Sequence, residues 1–256
     1  MAYENILVEK VGGGVRVITL NRPDVLNALS SDLNREMDEA LDSFENDPDI
    51  KAIVITGAGE KAFSAGADIH ENARRAEGEA RQSAPPRPDA SWRRATFKKP
   101  TIGAINGLCW GGAAVLASSL DIRIGCERTN FRFIAAARGR INNTWSLPIV
   151  VGWARAKELL FTARVVDAEE AEHMGLLNKI VPSERLMDEV IEMGRMIAKN
   201  DELMVQGIKQ ILHEHIGREW RAMYDGARDA VKTRFQPGSF QVGFADFLER
   251  KGRNRV

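Results

Sequence analysis

The chain reads as an α/β protein, on three observations. Short β-branched runs recur through the first 165 residues, helix-period segments fall between and after them, and from about Asp167 onward the pattern becomes mainly helical. At 256 residues one substantial core can be buried. We place that core in residues 1–200 and a C-terminal helical region in residues 201–256.

The elements follow in order. Ile6–Glu9 and Val15–Leu20 are apolar-rich runs around Val11-Gly-Gly-Gly14, a β-hairpin whose turn uses glycine's access to positive φ. Asn21-Arg-Pro23 closes the second strand, because proline cannot donate to a ladder. Leu33, Met37, Leu41 and Phe44 then lie on one helical face, with Ser30 or Ser31 as the N-cap. Ala52–Thr56, Thr101–Ile105 and Asp121–Gly125 read as buried strands, and Ala114–Ser119 as an apolar helix. Asp121 has a structural role at its strand start. The stretch 83–91, with Pro85, Pro86 and Pro88, reads as an irregular, mobile surface loop. Helices are expected over 168–174, 183–199, 201–215 and 218–235, with a short last one around 240–250.

Composition narrows the function classes. Lys plus Arg and Asp plus Glu number 36 each, so the formal net charge is zero, without the basic excess of a nucleic-acid-binding protein. Cys109 and Cys126 are too few for a disulfide framework and have no metal-ligand spacing. His213 and His215, two apart on a helix, face different ways and make a poor metal pair. No signal peptide and no membrane span are read, so a soluble cytoplasmic protein is expected.

Two segments carry chemistry. Phe63-Ser-Ala-Gly-Ala-Asp-Ile69 is one; Asn106-Gly-Leu-Cys-Trp-Gly-Gly-Ala-Ala114 is the other, placed between a strand and a helix. A strand–Gly-Gly–helix junction exposes free backbone N–H groups at the positive end of a helix dipole, which suits a developing oxyanion. A double glycine by itself is explained more simply by tight helix–strand packing.

Order and spacing change that balance. Asn21-Arg-Pro-x-x-x-Asn-Ala-Leu29, Phe63–Ile69, Lys99-Pro-x-x-x-x-x-Asn-Gly107, Trp110-Gly-Gly112, Asp121-Ile122, Ala168–Leu176 and Phe247–Lys251 together resemble the crotonase (enoyl-CoA hydratase/isomerase) superfamily along nearly the whole chain. The resemblance implies a spiral of ββα units with a C-terminal helical region that supports trimers or hexamers. It implies an acyl-CoA substrate, coenzyme A entering only as part of that substrate, and no separate cofactor, metal, nucleic acid or membrane. Oxyanion donors would be the N–H groups of Ala67 and Gly112. Asp24, Val25, Ala28, Ala65, Asp68 and Ile69 would line the coenzyme A channel, and Phe247 and Arg250 would contact coenzyme A from a neighbouring subunit. Asp24 stands where relatives often carry a basic residue.

Hydratases of this family place a water with two glutamates. The matching positions here are Val115, in Gly111-Gly-Ala-Ala-Val115, and Ala135, in Phe131-Arg-Phe-Ile-Ala135. Neither side chain can carry a proton. What remains suits reactions that need enolate stabilisation more than a positioned water: isomerisation, decarboxylation, or C–C cleavage or hydrolysis by a lyase-like enzyme. Local matches, such as Ser64-Ala-Gly-x-Asp-Ile-His-Glu71, resemble methylmalonyl-CoA decarboxylase, although the polar groups of that enzyme are not matched.

Relatives carry reaction-specific residues after the glycine at 139, where this chain has Asn142-Asn143-Thr144. The amides of Asn142 and Asn143 can hydrogen-bond a carbonyl, carboxylate or water; equally, Asn-Asn is ordinary turn chemistry. Arg138 and Arg140 bind an anionic group or are simply solvated. Trp110 and Trp145 line an acyl pocket or belong to the core. Glu71 and Asp89 are loop carboxylates available to an isomerase, and His70 is read as a surface or capping residue. Two other readings stand beside the enolate enzyme: a pseudoenzyme that binds acyl-CoA without turnover, and a conventional enoyl-CoA hydratase.

Overall fold

The computed structural model describes residues 3–76 and 90–236. The chain divides into two compact units, Met1–Asn200 and Asp201–Val256.

In the first unit the hairpin strands β1 (Ile6–Lys10) and β2 (Val15–Leu20) pair antiparallel, and helix α1 (Ser31–Glu45) follows. Then a repeat sets in. Strand β3 (Ala52–Gly57) is followed by β4 (Ala62–Ser64) and helix α2 (Ile69–Ala76). After the short helix α3 (Ala90–Ala95), β5 (Thr101–Ile105) leads to β6 (Leu108–Trp110) and helix α4 (Gly112–Ser119). Strands β7 (Ile122–Gly125) and β8 (Asn130–Arg132) lead to helices α5 (Leu147–Val151) and α6 (Trp153–Thr162). Strand β9 (Val165–Asp167), helix α7 (Ala168–His173), strand β10 (Lys179–Ile180) and helix α8 (Leu186–Ala198) complete the unit.

Each ββα turn gives one strand to each of two sheets. The larger has the order β1-β2-β3-β5-β7-β10 and is parallel from β2 onward; the smaller has the order β4-β6-β8-β9. This is the spiral of ββα units that the resemblance implied.

Strands β3 and β5 are buried at every residue, as expected for parallel strands covered on both faces. Ile53 and Ile55 face a core shared with Leu33, Met37, Leu41 and Phe44 of α1. Val54, Ile102 and Ala104 face a second core shared with Leu186 and Val190 of α8. Alternation along the strand separates the two sets. Ser30 caps α1, its Oγ accepting from the Leu33 N–H at 3.2 Å. The Asp121 carboxylate accepts from the N–H and hydroxyl of Thr101 at 2.7 and 2.9 Å, so it joins the starts of β5 and β7.

The second unit, where described, is helical: α9 (Glu202–Glu214) and α10 (Trp220–Thr233). Arg234 makes two 2.7 Å bonds to the Glu214 carboxylate, and these hold that group down at about 2. No helix among the described residues is long and apolar enough to cross a membrane.

Two expectations need correction. The irregular stretch expected over 83–91 ends early, because Ala90 and Ser91 already belong to α3; residues 77–89, including Asp89, lie outside the described residues. Trp145 is not core: it is 38% exposed and lies 6.2 Å, ring to ring, from Trp92. The expected helix over 240–250, with Phe247 and Arg250, lies outside the described residues.

Buried asparagines brace the turns between sheets. Asn27, 1% exposed at φ 54°, donates from Nδ2 to the carbonyls of Ala58 and Ala62, and its Oδ1 accepts from the Arg22 N–H. Asn106 does the same for Gly57 and Gly59. Asn27→Ala leaves three backbone groups without partners and puts alanine in a left-handed conformation. We expect it to lower the unfolding free energy by about 3 kcal/mol, measured by urea denaturation.

Candidate active site

Residues 26–29 and 65–68 run beside each other and are joined by backbone hydrogen bonds. The Ala65 N–H donates to the Leu26 carbonyl (2.9 Å), Leu29 to Gly66 (2.7 Å) and Asp68 to Leu29 (3.2 Å), which forms a parallel bridge between Leu29 and Ala67. Arg22 fastens the pair from outside: its Nη1 donates to the Ala28 carbonyl at 2.7 Å and to Asp68 Oδ2 at 2.8 Å. Burial raises the Asp68 carboxyl, but the Glu71 N–H and the Arg22 guanidinium outweigh it, and the group sits below its ordinary value.

Gly66 presses this segment against the start of α4. At φ 91°, a Cβ on Gly66 would lie 2.5 Å from the Trp110 carbonyl oxygen and 2.8 Å from the Gly112 nitrogen. A Cβ on Gly112 would in turn lie 3.4 Å from the Ala67 nitrogen. Gly111, at φ 53°, turns the chain from β6 into α4 and precedes the first helical residue, Gly112. Among the described residues neither the Ala67 nor the Gly112 N–H donates to a protein acceptor. For Gly112 the reason is general, since the first N–H groups of a helix have no partner within it.

Both residues bound a cavity of about 300 Å³, together with Leu29, Asn34, Ser91, Arg94, Val115, Leu116, Ser119 and Asn142. No Asp, Glu or His stands among the described residues on its wall. Arg94, 7% exposed, is held there by a 2.8 Å bond from Nε to Asp38 and a 2.9 Å bond from Nη1 to Asn34 Oδ1.

The structure therefore brings Ala67, Gly112 and Asn142 to one cavity. Asp24 and Val25, in the 3₁₀ turn 23–25, and Ile69, at the start of α2, are exposed, whereas Ala28 and Asp68 are buried and Ala65 half-buried. Other candidates stand elsewhere. Asn143 is 2% exposed and does not bound the cavity; its Oδ1 accepts from Ser118 and Ser146. Trp110 donates from its indole to Asn130 Oδ1 at 2.7 Å, lies under Arg132 and is not among the residues that bound the cavity. Arg138 and Arg140 are exposed, as is His70. Glu71 accepts from the Ser31 N–H at 2.8 Å and does not bound the cavity. Ala135 is buried, its carbonyl accepting from Arg138 and Arg140. Cys109 is fully buried, which pushes its thiol up and leaves it no use as a nucleophile.

Two unpartnered amides over one cavity at a strand–Gly-Gly–helix junction are the feature that comparison with known proteins bears on. A family model described as enoyl-CoA hydratase/isomerase matches residues 10–254. This chain belongs to the enoyl-CoA hydratase/isomerase family. A short-chain-enoyl-CoA hydratase of Clostridium acetobutylicum is 38% identical over 216 residues, 83% of this chain and 82% of that protein. A crotonyl-CoA hydratase of Syntrophomonas wolfei is 34% identical over 259 residues, 100% of this chain and 99% of that protein. The crystal structure of an enoyl-CoA hydratase from Bacillus anthracis superposes with a TM-score of 0.85 at 29% identity, covering 96% of this chain and 97% of that one. The fold is thus the crotonase fold, and the chain is an acyl-CoA-processing enzyme of that superfamily.

Sequence reasoning missed Asn34, Arg94 and Ser119. One signal was present: Asp38 lies beside Met37 and Leu41 on α1, and an acid packed at an apolar helix face needs a buried cation. Gly66→Ala tests how the two amides are held. The clash with the Trp110 carbonyl and the Gly112 nitrogen is with backbone and cannot be relieved by a rotamer change. We expect thermal denaturation to show a loss of about 2 kcal/mol or more.

Proposed function

We propose that the protein binds an acyl-CoA thioester with its carbonyl oxygen between the N–H groups of Ala67 and Gly112. It then turns the substrate over through an enolate, without the glutamate pair of a hydratase. The single observation that carries this reading is the pair of unpartnered backbone donors at one wall of the cavity. Fixed donors cost no reorganisation when negative charge moves onto the oxygen, and one such donor is typically worth about 2.7–4 kcal/mol of barrier. The first turn of α4 adds its positive dipole end to the same point.

The acid–base side of a hydratase has no counterpart among the described residues of this wall. Val115 bounds the cavity where the family's first glutamate stands, and the second position is the buried Ala135. General acid–base catalysis typically contributes about 10²–10⁴-fold. A reaction that forms its enolate by releasing CO₂, or by breaking another C–C bond, does without that contribution. Isomerisation needs one mobile proton carrier, which the described cavity wall does not supply. The exposed strip of Asp24, Val25 and Ile69 beside Ala67 would carry the coenzyme A part of the substrate.

A second reading, conventional hydration, is favoured by the names of the relatives at 34–38% identity. Product analysis by mass spectrometry over enoyl-, malonyl- and β-keto-CoA thioesters separates the two. We expect crotonyl-CoA to be hydrated about 10²-fold or more slowly than by an enzyme with both glutamates. Equal rates would establish hydration, and binding without turnover of any thioester would make the protein a pseudoenzyme.

The donor itself is tested by Gly112→Pro. Proline is well accepted at the first position of a helix, and this N–H makes no protein hydrogen bond that would be lost. The melting temperature should move little, while kcat falls about 10²–10³-fold on whichever thioester is turned over.

A further inference from the structure

The described wall of the cavity carries more unused donors than a plain alkyl chain can use. Two bonds fix which way the Asn34 amide faces: Nδ2 donates to the Ser30 carbonyl at 2.8 Å, and Oδ1 accepts from Arg94 at 2.9 Å. The second Nδ2 hydrogen is left over. Arg94 directs Nε and Nη2 to Asp38 and the Asn34 carbonyl, and its Nη1 keeps one hydrogen beyond the bond to Asn34. Asn142 Nδ2 donates to no described residue; it is the Oδ1 of that amide that is shut off from solvent. The Ser91 hydroxyl, on an exposed residue, is also without a described partner.

Acceptors are scarcer. No carboxylate stands among the described wall residues, Asn34 Oδ1 already accepts from Arg94, and Asn142 Oδ1 is closed off. The hydroxyl lone pairs of Ser91 and Ser119 remain. Charge points the same way. Asp38, the counter-ion of Arg94, does not bound the cavity, so an occupant meets the positive member of that pair first.

The cavity, of about 300 Å³, is small enough that an occupant meets several of these groups at once. It follows one face of α4, because Gly112, Val115, Leu116 and Ser119 recur at helical spacing. From Gly112 to Ser119 that face runs roughly 10 Å at the α-helical rise. Asn143 hydrogen-bonds Ser118, which sets its neighbour Asn142 near the last turn, at the other end from the Gly112 N–H.

Resting on the acyl-thioester reading above, we infer that the acyl group ends in a carboxylate, held by Asn34, Arg94 and Asn142. The substrate class is then the CoA monothioester of a dicarboxylic acid, with Val115 and Leu116 beside its methylenes. A carboxylate accepts several hydrogen bonds at once, and those from a guanidinium are charge-assisted. An alkyl end leaves every one of these donors to water.

Isothermal titration calorimetry at neutral pH compares hexanoyl-CoA with its terminal-carboxylate and its neutral methyl-ketone counterparts. The native chain should bind the carboxylated thioester about tenfold or more tightly than either of the others. Asn142→Asp puts an anion where the donor stood and should lower the carboxylate-to-alkyl ratio about tenfold or more. Asn142→Leu, which only removes the donor, should lower it less. A merely structural role for Asn142 would weaken both thioesters together and leave their ratio unmoved. Equal binding of the alkyl and carboxylated thioesters by the native chain, ketone binding as tight as that of the carboxylate, or a ratio unchanged in both variants overturns the inference alone. Failure of the native chain to bind any of the three overturns the acyl-thioester reading and this inference with it.

Discussion

Ala67 belongs to no helix or continuous strand, yet its N–H is held in a fixed place beside the start of α4. What holds it is the pairing of residues 26–29 with residues 65–68. That pairing uses the amides of Ala65, Leu29 and Asp68 and the carbonyls of Leu26, Gly66 and Leu29, and it leaves the N–H of Ala67 over. The same geometry that satisfies its neighbours keeps this donor free. Gly66 completes the arrangement, because only a residue without Cβ allows the segment to approach the Trp110 carbonyl and the Gly112 nitrogen so closely.

The support for that pairing is polar and buried, which is unusual for a structural role and explains its residue types. Asn27 and Asn106 each replace the hydrogen bonds that a β-ladder would have supplied to the turns between the two sheets. An asparagine presents a donor and an acceptor from one short side chain and tolerates the left-handed conformation found at Asn27. Arg22 ties the carbonyl of Ala28 to the carboxylate of Asp68 with a single nitrogen, joining the two segments by a partly buried ion pair. Lys99 has the same character: 1% exposed, it donates to the carbonyls of Asp47 and Ile50 ahead of β5. These residues fall in the segments by which the chain resembles its family, and the structure shows their work to be bracing.

Elements with a strong period were legible in the sequence. The hairpin, α1, β3 and β5 fall within a residue or so of where alternation and helical spacing put them. The whole smaller sheet was not, since β4, β6, β8 and β9 have three residues each, too few for a period-two pattern to show. Those short strands are set by pairing with one another, a tertiary effect. At the cavity the limits have the same origin. The Gly-Gly junction announced a helix start, but only the family resemblance pointed to Ala67 as its companion. Asn142 and Asn143 looked like a matched pair; the positive φ of Asn143 separates them, one side chain bounding the cavity and the other turned to Ser118 and Ser146. Arg94 follows a proline-rich stretch and carries no signal of its own in the sequence; the structure sets it against Asp38.

The apolar side chain of Val115 on the cavity wall has an electrostatic side as well. A carboxylate at position 115, one turn into α4, would set a negative charge close to the amides of Ala67 and Gly112 and oppose charge building on a bound oxygen. With Val115 there, the first turn of α4 meets the cavity with no acidic side chain of its own to oppose its positive end. Arg94 with Asp38 and Arg22 with Asp68 are each neutralised within their pair. Among its described residues the cavity wall thus carries two free backbone N–H donors, a helix start and one paired guanidinium, and no carboxylate.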